Sequence, residues 1–136
     1  MQVSIVIPVH NEVENLIPLI EECVAAMQHV RAYELIYVDD GSTDQTAKVL
    51  KQSLIRYPAL RVIQHQKSCG QSTAVHTGVK AARHPVVATL DGDGQNDPAD
   101  IPRLYDLLIA QQITNNRLWM IAGWRNKRHD SAWRLF

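Results

Sequence analysis

The stretch Leu90-Asp91-Gly92-Asp93-Gly94-Gln95-Asn96-Asp97-Pro98 holds the side chains best suited to chemistry. Asp91 and Asp93 stand two residues apart, with glycines between and after them, so their carboxylates can converge on one hard cation. Gln95 adds an amide oxygen on the same side. Oxygen-only donors of this kind suit Mg²⁺ or Mn²⁺ rather than zinc. Such a cation keeps open positions that substrate phosphates fill, so this segment reads as a place where a diphosphate is held through a metal. The competing reading is an ordinary turn, because Asp, Gly and Asn are also what turns are made of. Asp97-Pro98 is separately explained as a helix N-cap followed by Pro at the first helical position.

The elements that must position these residues alternate along the chain. Val3 to Val9, Glu34 to Val38, Leu60 to Gln64, Val86 to Leu90 and Leu118 to Gly123 are short apolar runs that read as strands. Between them lie four helical patterns. Glu14 to His29 carries Leu16, Ile17, Leu19, Ile20, Val24 and Met27 on one broad face. Asp44 to Tyr57 places Ala47, Leu50 and Leu54 inward with Ile55 beside them, and Pro58 ends it. Ser72 to Ala82 is built on Ala74, Val75, Gly78, Val79 and Ala82, small residues that predict close packing on a sheet. Ala99 to Gln112 is the fourth helix. This alternation predicts an α/β fold, a mostly parallel sheet with helices on both faces.

In such sheets ligands bind outside the carboxyl ends of the strands. The polar residues gather there. His10, Asn11 and Glu12 follow the first strand, and Pro8 stands just before its end. Asp39, Asp40, Gly41, Ser42, Thr43 and Asp44 follow the second. Lys67, Ser68, Cys69 and Gly70 follow the third, the Asp91 cluster the fourth, and Trp124 and Arg125 the fifth. A purely structural domain has no need of that asymmetry. Ser42 or Thr43 is expected to cap the next helix, which leaves the two consecutive acids Asp39 and Asp40 unexplained by turn chemistry.

Composition narrows the class. The chain has 136 residues, enough for one domain with a real core. Apolar residues make up 46%, which argues against disorder. A formal net charge of zero argues against a dedicated nucleic-acid binder that relies on phosphate neutralisation. Cys23 and Cys69 form no Cys-x-x-Cys pair, and Cys23 falls on the apolar face of the first helix. A reducing, cytoplasmic setting is the default expectation. The early apolar run Val3 to Val9 is too short for a signal peptide, and no stretch approaches the ~18–20 apolar residues of a membrane span. His29, His65, His76, His84 and His129 share no metal-ligand spacing and are read as surface or capping residues.

Three segments together resemble the signature series of family 2 inverting glycosyltransferases with the GT-A fold, a Rossmann-like nucleotide-sugar-binding architecture. They are Val3-Ser4-Ile5-Val6-Ile7-Pro8-Val9-His10-Asn11-Glu12, then Val38-Asp39-Asp40-Gly41-Ser42-Thr43-Asp44, then Asp91-Gly92-Asp93. Gln95 after the Asp pair is similar to the branch that includes dolichyl-phosphate mannosyltransferases and bacterial undecaprenyl-phosphate sugar transferases. The likeness covers the donor-binding half of that family's catalytic domain. It implies a nucleotide-sugar-binding domain over 1–123 and the basic-aromatic start of an acceptor-side region over 124–136.

The resemblance also implies roles. Pro8, Asn11 and Glu12 would border the nucleotide, with Glu12 near the ribose or base. Asp40 would accept from the ring N–H of uracil or guanine, with Asp39 beside it. Lys67 and Gly70 fall where a loop approaches the nucleotide, and Lys67 would neutralise phosphate. Asp91, Asp93 and Gln95 would hold Mg²⁺ or Mn²⁺ against the diphosphate of a UDP- or GDP-linked sugar, with Asp91 also touching the nucleotide. Arg125 and Arg128 would bind donor or lipid phosphate.

The reaction implied is a single displacement at the anomeric carbon, with inversion. A polyprenyl phosphate acceptor is already anionic and requires no strong general base, whereas a sugar hydroxyl would need one. Arg125, Lys127, Arg128, Trp133, Arg134 and Phe136 form a basic, aromatic segment whose expected role is peripheral contact at the inner face of the membrane. Two alternatives remain open on the sequence. One is an inactive nucleotide-binding fragment, stabilised by self-association as a homo-oligomer. The other is a Mg²⁺-dependent phosphoacceptor module. A receiver-type arrangement expects its acids after the first and third strands, whereas here they follow the second and fourth.

Overall fold

A computed structural model describes residues 1–123. Arg125, Arg128 and the boundary at 123/124 therefore lie outside the described residues. The element order is β1 (Gln2–Val9), α1 (Val13–Ala26), β2 (Ala32–Asp39), α2 (Thr46–Ser53), β3 (Leu60–Gln64), α3 (Gln71–Ala81), β4 (Val86–Thr89) and α4 (Asp100–Thr114). The four strands form one sheet in the order β3-β2-β1-β4, and every pairing is parallel. The expected α/β fold is present.

Strand parity divides the core. Val3, Ile5, Ile7 and Val9 of β1 and Leu35 and Tyr37 of β2 join Leu16, Leu19, Ile20 and Cys23 of α1 and Leu50 of α2 in the larger cluster. The alternate residues Val6, Ile36 and Val38 pack with Ala74 of α3 on the opposite face. Side chains buried on both faces explain why β1 and β2 read as mostly apolar runs, broken by the buried pair Ser4 and Glu34, rather than as alternating ones. Burial pushes the Cys23 thiol up to about 12, with nearby Glu22 adding to the shift, so Cys23 is a core group and no nucleophile.

The small residues of α3 do what their size implies. A Cβ built on Gly78 would lie 2.3 Å from Val6 Cγ1 and 3.2 Å from Val38 Cγ2. Both neighbours are β-branched strand residues, stiff at χ1. Gly78→Ala is expected to cost about 2 kcal/mol through overpacking and to lower the urea midpoint by about 1 M, read in an equilibrium unfolding curve.

Several boundaries differ from the sequence reading. The helix expected over Glu14 to His29 ends at Ala26, because Val30 N–H turns back to Met27 O at 2.9 Å and β2 must begin at Ala32 to pair with Gln2. The helix expected over Asp44 to Tyr57 is regular only over Thr46–Ser53, and the next residues continue as turns closed by bonds such as Tyr57 N to Ser53 O at 3.0 Å. The expected fifth strand, Leu118 to Gly123, does not pair with the sheet. Leu118 instead belongs to the turn after α4, with its N–H on Asn115 O at 3.1 Å and its carbonyl accepting from Gln112 Nε2 at 2.9 Å. An apolar run alone does not make a strand unless a neighbouring edge takes its backbone groups.

The order of strands creates a switch point. The chain moves from β1 to β2 to β3 in one direction, then returns to place β4 on the other side of β1. The crevice outside the carboxyl ends of β1 and β4 is where an open parallel sheet offers a ligand site.

Candidate functional site at the switch point

A cavity of about 260 Å³ opens at that crevice, lined by Pro8, Val9, His10, Glu12, Asp40, Gln71, Ala74, Asp91, Gly92 and Asp93. Five of the residues singled out from sequence, Pro8, Glu12, Asp40, Asp91 and Asp93, thus share one wall-to-wall space. Asn11, Asp39, Lys67 and Gln95 do not line it.

Asp39 and Asp40 are neighbours in sequence that face opposite sides of the sheet, as strand parity requires. Asp39 is fully buried. Its Oδ1 accepts from Ser42 N–H at 3.1 Å, and its Oδ2 is buried without a hydrogen-bond partner. Asp40 is also buried, and its carboxylate accepts four bonds. Oδ1 takes His65 Nδ1–H and Cys69 N–H, both at 2.8 Å, and Oδ2 takes Gly70 N–H at 2.9 Å and Ser68 Oγ–H at 3.0 Å. Burial alone would raise this carboxyl. The bonds donated by Cys69, His65, Gly70 and Ser68 outweigh it and hold the group well below the usual carboxylate range. Both oxygens being filled, Asp40 anchors the 67–70 loop; a base N–H reaching it would have to displace one of those donors.

Gly41 lets the loop come this close. It adopts φ 66°, and a Cβ there would lie 2.4 Å from Ser68 N. Gly92 plays the matching part between Asp91 and Asp93, since its Cβ would meet Pro8 O at 2.9 Å.

The other loops brace one another. Asn11 sits in the left-handed region at φ 53°, and its Oδ1 accepts from Thr43 N–H at 2.8 Å and Asp44 N–H at 3.3 Å. Ser42 Oγ accepts from Asn11 N–H at 2.9 Å. The hydroxyls of Ser42 and Thr43 therefore tie the first and second strand-end loops together and do not cap α2, whose first N–H, that of Thr46, is taken instead by Asp44 Oδ1 at 2.9 Å. Asp97 does cap the entry to α4: its Oδ1 accepts from Ala99 N–H at 3.0 Å and its carbonyl from Asp100 N–H at 3.1 Å, in the turn that leads into the helix beginning at Asp100. His10 donates from Nδ1 to the Asp40 carbonyl at 2.8 Å.

His65 overturns the surface-or-capping reading. It follows β3 at the same sheet edge, is largely buried, and bridges Asp40 to Thr77 Oγ1, the latter at 2.9 Å from Nε2. The missed signal was its place one residue past a strand end, where ligand-facing groups collect. Asp40, His65 and Cys69 bring potential metal-ligating atoms within 4.8 Å of one another. Their atoms are committed elsewhere, however: Asp40 has no acceptor site left, both ring nitrogens of His65 are engaged, and the Cys69 thiol turns to Lys67 O at 3.3 Å.

The other acid group has a different character. Asp91 is exposed and Asp93 half-buried, and both face the cavity. Asp93 Oδ1 accepts from Gln95 N–H at 3.0 Å, which curls the Asp93–Gln95 segment toward Asp93. Asp91 Oδ1 accepts from Gln71 Nε2–H at 3.1 Å. Two solvent-reachable carboxylates with no thiol or imidazole among them fit a hard divalent cation.

Residues 4–132 match the family model for glycosyl transferase family 2. The chain belongs to this family. Family membership sets aside the phosphoacceptor alternative. Among its relatives, a dodecaprenyl-phosphate galacturonate synthase of Rhizobium johnstonii is 39% identical over 96% of the chain. An undecaprenyl-phosphate 4-deoxy-4-formamido-L-arabinose transferase of Pseudomonas savastanoi is 40% identical over 97% of it. The chain spans 38% of the length of each of these relatives. Among solved structures, S. aureus TarS matches with a TM-score of 0.62 at 21% identity, over 83% of this chain and 33% of that one. A mannosyltransferase from Pyrobaculum calidifontis, solved with GDP-Man and Mn²⁺, matches with a TM-score of 0.54 at 26% identity, over 68% and 27% of the two chains. The family 2 chain thus carries the GT-A type of α/β fold expected from its motifs. None of the helices among the described residues is long and apolar enough to cross a membrane.

Proposed function

We propose that this family 2 chain is the donor-binding half of an inverting glycosyltransferase that moves a sugar from a nucleoside diphosphate to a polyprenyl phosphate. The observation that carries the reading is the meeting of Asp91 and Asp93 with Pro8, Glu12 and the Asp40 loop around one cavity at the sheet's switch point. The named activities of the two relatives support the acceptor class, and the mannosyltransferase with GDP-Man and Mn²⁺ supports the donor class and the ion.

In this reading Asp91 and Asp93, with Gln95, hold Mg²⁺ or Mn²⁺. When bound, the cation supplies charge neutralisation for the departing diphosphate. Pro8 and Glu12 form the side of the cavity next to the nucleotide. Asp39 and Asn11 set the loops behind it, and the loop anchored on Asp40 presents the base-facing edge, with Lys67 near the phosphates. Arg125 and Arg128 are assigned to acceptor or donor phosphate, and the segment 124–136 to the opening of the acceptor side at an anionic membrane surface. A phosphate acceptor is already ionised, so the absence of an assigned general base is consistent with this chemistry.

The size of the cavity bears on what it holds. Sites that enclose a drug-sized ligand span roughly 300–1,000 Å³. At about 260 Å³ and open to solvent, the cavity among the described residues is just below that range.

Calorimetric titration of the folded chain with UDP and GDP, each with and without Mn²⁺, tests the proposal. Metal-dependent binding of one nucleotide is expected. A folded chain that binds neither nucleotide in the presence of Mn²⁺ would overturn it.

A further inference from the structure

We infer that Gln71 is the positioning residue for Asp91, holding that carboxylate toward the cation while leaving its charge intact; the inference rests on the metal-diphosphate reading above. Gln71 Nε2–H donates to Asp91 Oδ1 at 3.1 Å across the cavity, and both residues line it. An amide donor on one carboxylate oxygen limits rotation of the group. Being neutral, it does so without competing with a cation for the negative charge, as a lysine or arginine at this place would.

The stem of Gln71 is itself fixed. It is the first residue of α3, and Gly70 before it adopts φ 96°. Gly70 N–H is held by Asp40 Oδ2 at 2.9 Å, so the helix start is tied to the buried anchor. On the other side, Asp91 N–H donates to Asn96 Oδ1 at 2.8 Å, which fixes the backbone that carries the carboxylate. One continuous set of bonds therefore runs from the Asp40 loop, through Gln71, to the acid pair. Gln71 is exposed, so its side chain contributes little to the core, and a bond from an exposed amide to a cavity carboxylate is explained by what that carboxylate has to do. Partners of this kind commonly change metal affinity by about 10–100-fold when removed.

The test measures two quantities by calorimetry on the whole chain, using whichever of UDP and GDP the wild type takes. One is the Mn²⁺ concentration that half-restores nucleotide binding. The other is nucleotide affinity at saturating Mn²⁺. Gln71→Met keeps the stem and removes the amide. It is expected to raise the Mn²⁺ half-saturation about 10-fold while leaving nucleotide affinity at saturating Mn²⁺ within about twofold. Ser72→Ala, the next exposed position of α3, should match the wild type in both. A Gln71→Met half-saturation within about twofold of wild type overturns the inference. So does a parallel loss in both quantities, which marks damage to the start of α3. If Asp93→Ala abolishes the Mn²⁺ dependence while Gln71→Met leaves it unchanged, only the inference falls. If wild-type binding shows no Mn²⁺ dependence, the metal reading and the inference fall together.

Discussion

Asp40→Ala is expected to destabilise the fold by about 3–4 kcal/mol and lower Tm by about 10 °C. The change deletes an acceptor for four donors and leaves the Cys69 and Gly70 N–H groups and His65 without the carboxylate that gathers them. Gly41 packs against Ser68 N, so the 67–70 loop has no room to settle inward and satisfy those donors elsewhere. The effect also has a pH signature. The donated bonds hold the Asp40 carboxyl below its ordinary range in the fold. Its stabilisation is therefore complete above the unfolded value, about 3.9, and is lost as pH falls through the lower folded value. Calorimetric unfolding across the acid range should show a shallower fall in Tm for Asp40→Ala than for wild type. A variant whose Tm lies within about 2 °C of wild type at neutral pH would show that the network carries little.

Asp93→Ala is expected to do the reverse. Asp93 is half-buried at a loop, and its side chain accepts a local bond from Gln95 N–H. Its loss should change stability by no more than about 0.5 kcal/mol, as for surface substitutions away from the core. Nucleotide binding with Mn²⁺ should fall by about 100-fold or more, because the proposed reading makes Asp93 a metal ligand rather than the partner of one. Titration and thermal unfolding of the same preparation check both halves. Retained Mn²⁺-dependent binding in Asp93→Ala would remove it from the metal site. The two acid pairs of this chain thus differ in kind: Asp39 and Asp40 are buried and structural in their contacts, whereas Asp91 and Asp93 are open to the cavity.

The sequence made the sheet legible because β1 and β2 are buried on both faces and so are largely apolar, interrupted by Ser4 and Glu34, which bond to each other at 2.6 Å. It made the site's location legible because polar residues collect at strand ends, and Pro8, Glu12, Asp40, Asp91 and Asp93 do meet there. It misled at Leu118 to Gly123, where apolar content without a pairing edge gives irregular chain after a turn, and at Ser42 and Thr43, whose hydroxyls serve a neighbouring loop. His65 and Gln71 were invisible for another reason. Their contacts are with partners 25 and 20 residues away, across separate strand-end loops. Such contacts are set by topology, and local spacing carries no trace of them.

The measurement that goes most directly to the metal-diphosphate site is paramagnetic broadening of amide resonances in the ¹⁵N-labelled chain, titrated with Mn²⁺ in the presence of UDP or GDP. Signals of Gly92, Asp93 and Gln71 are expected to broaden first, followed by His10 and Val9 on the facing wall. Those of Gln2, Ala32 and Val86, paired at the opposite end of the strands, should remain sharp. Broadening centred on His65 and Cys69, with Gly92 and Asp93 left sharp, would contradict a cation held by Asp91 and Asp93.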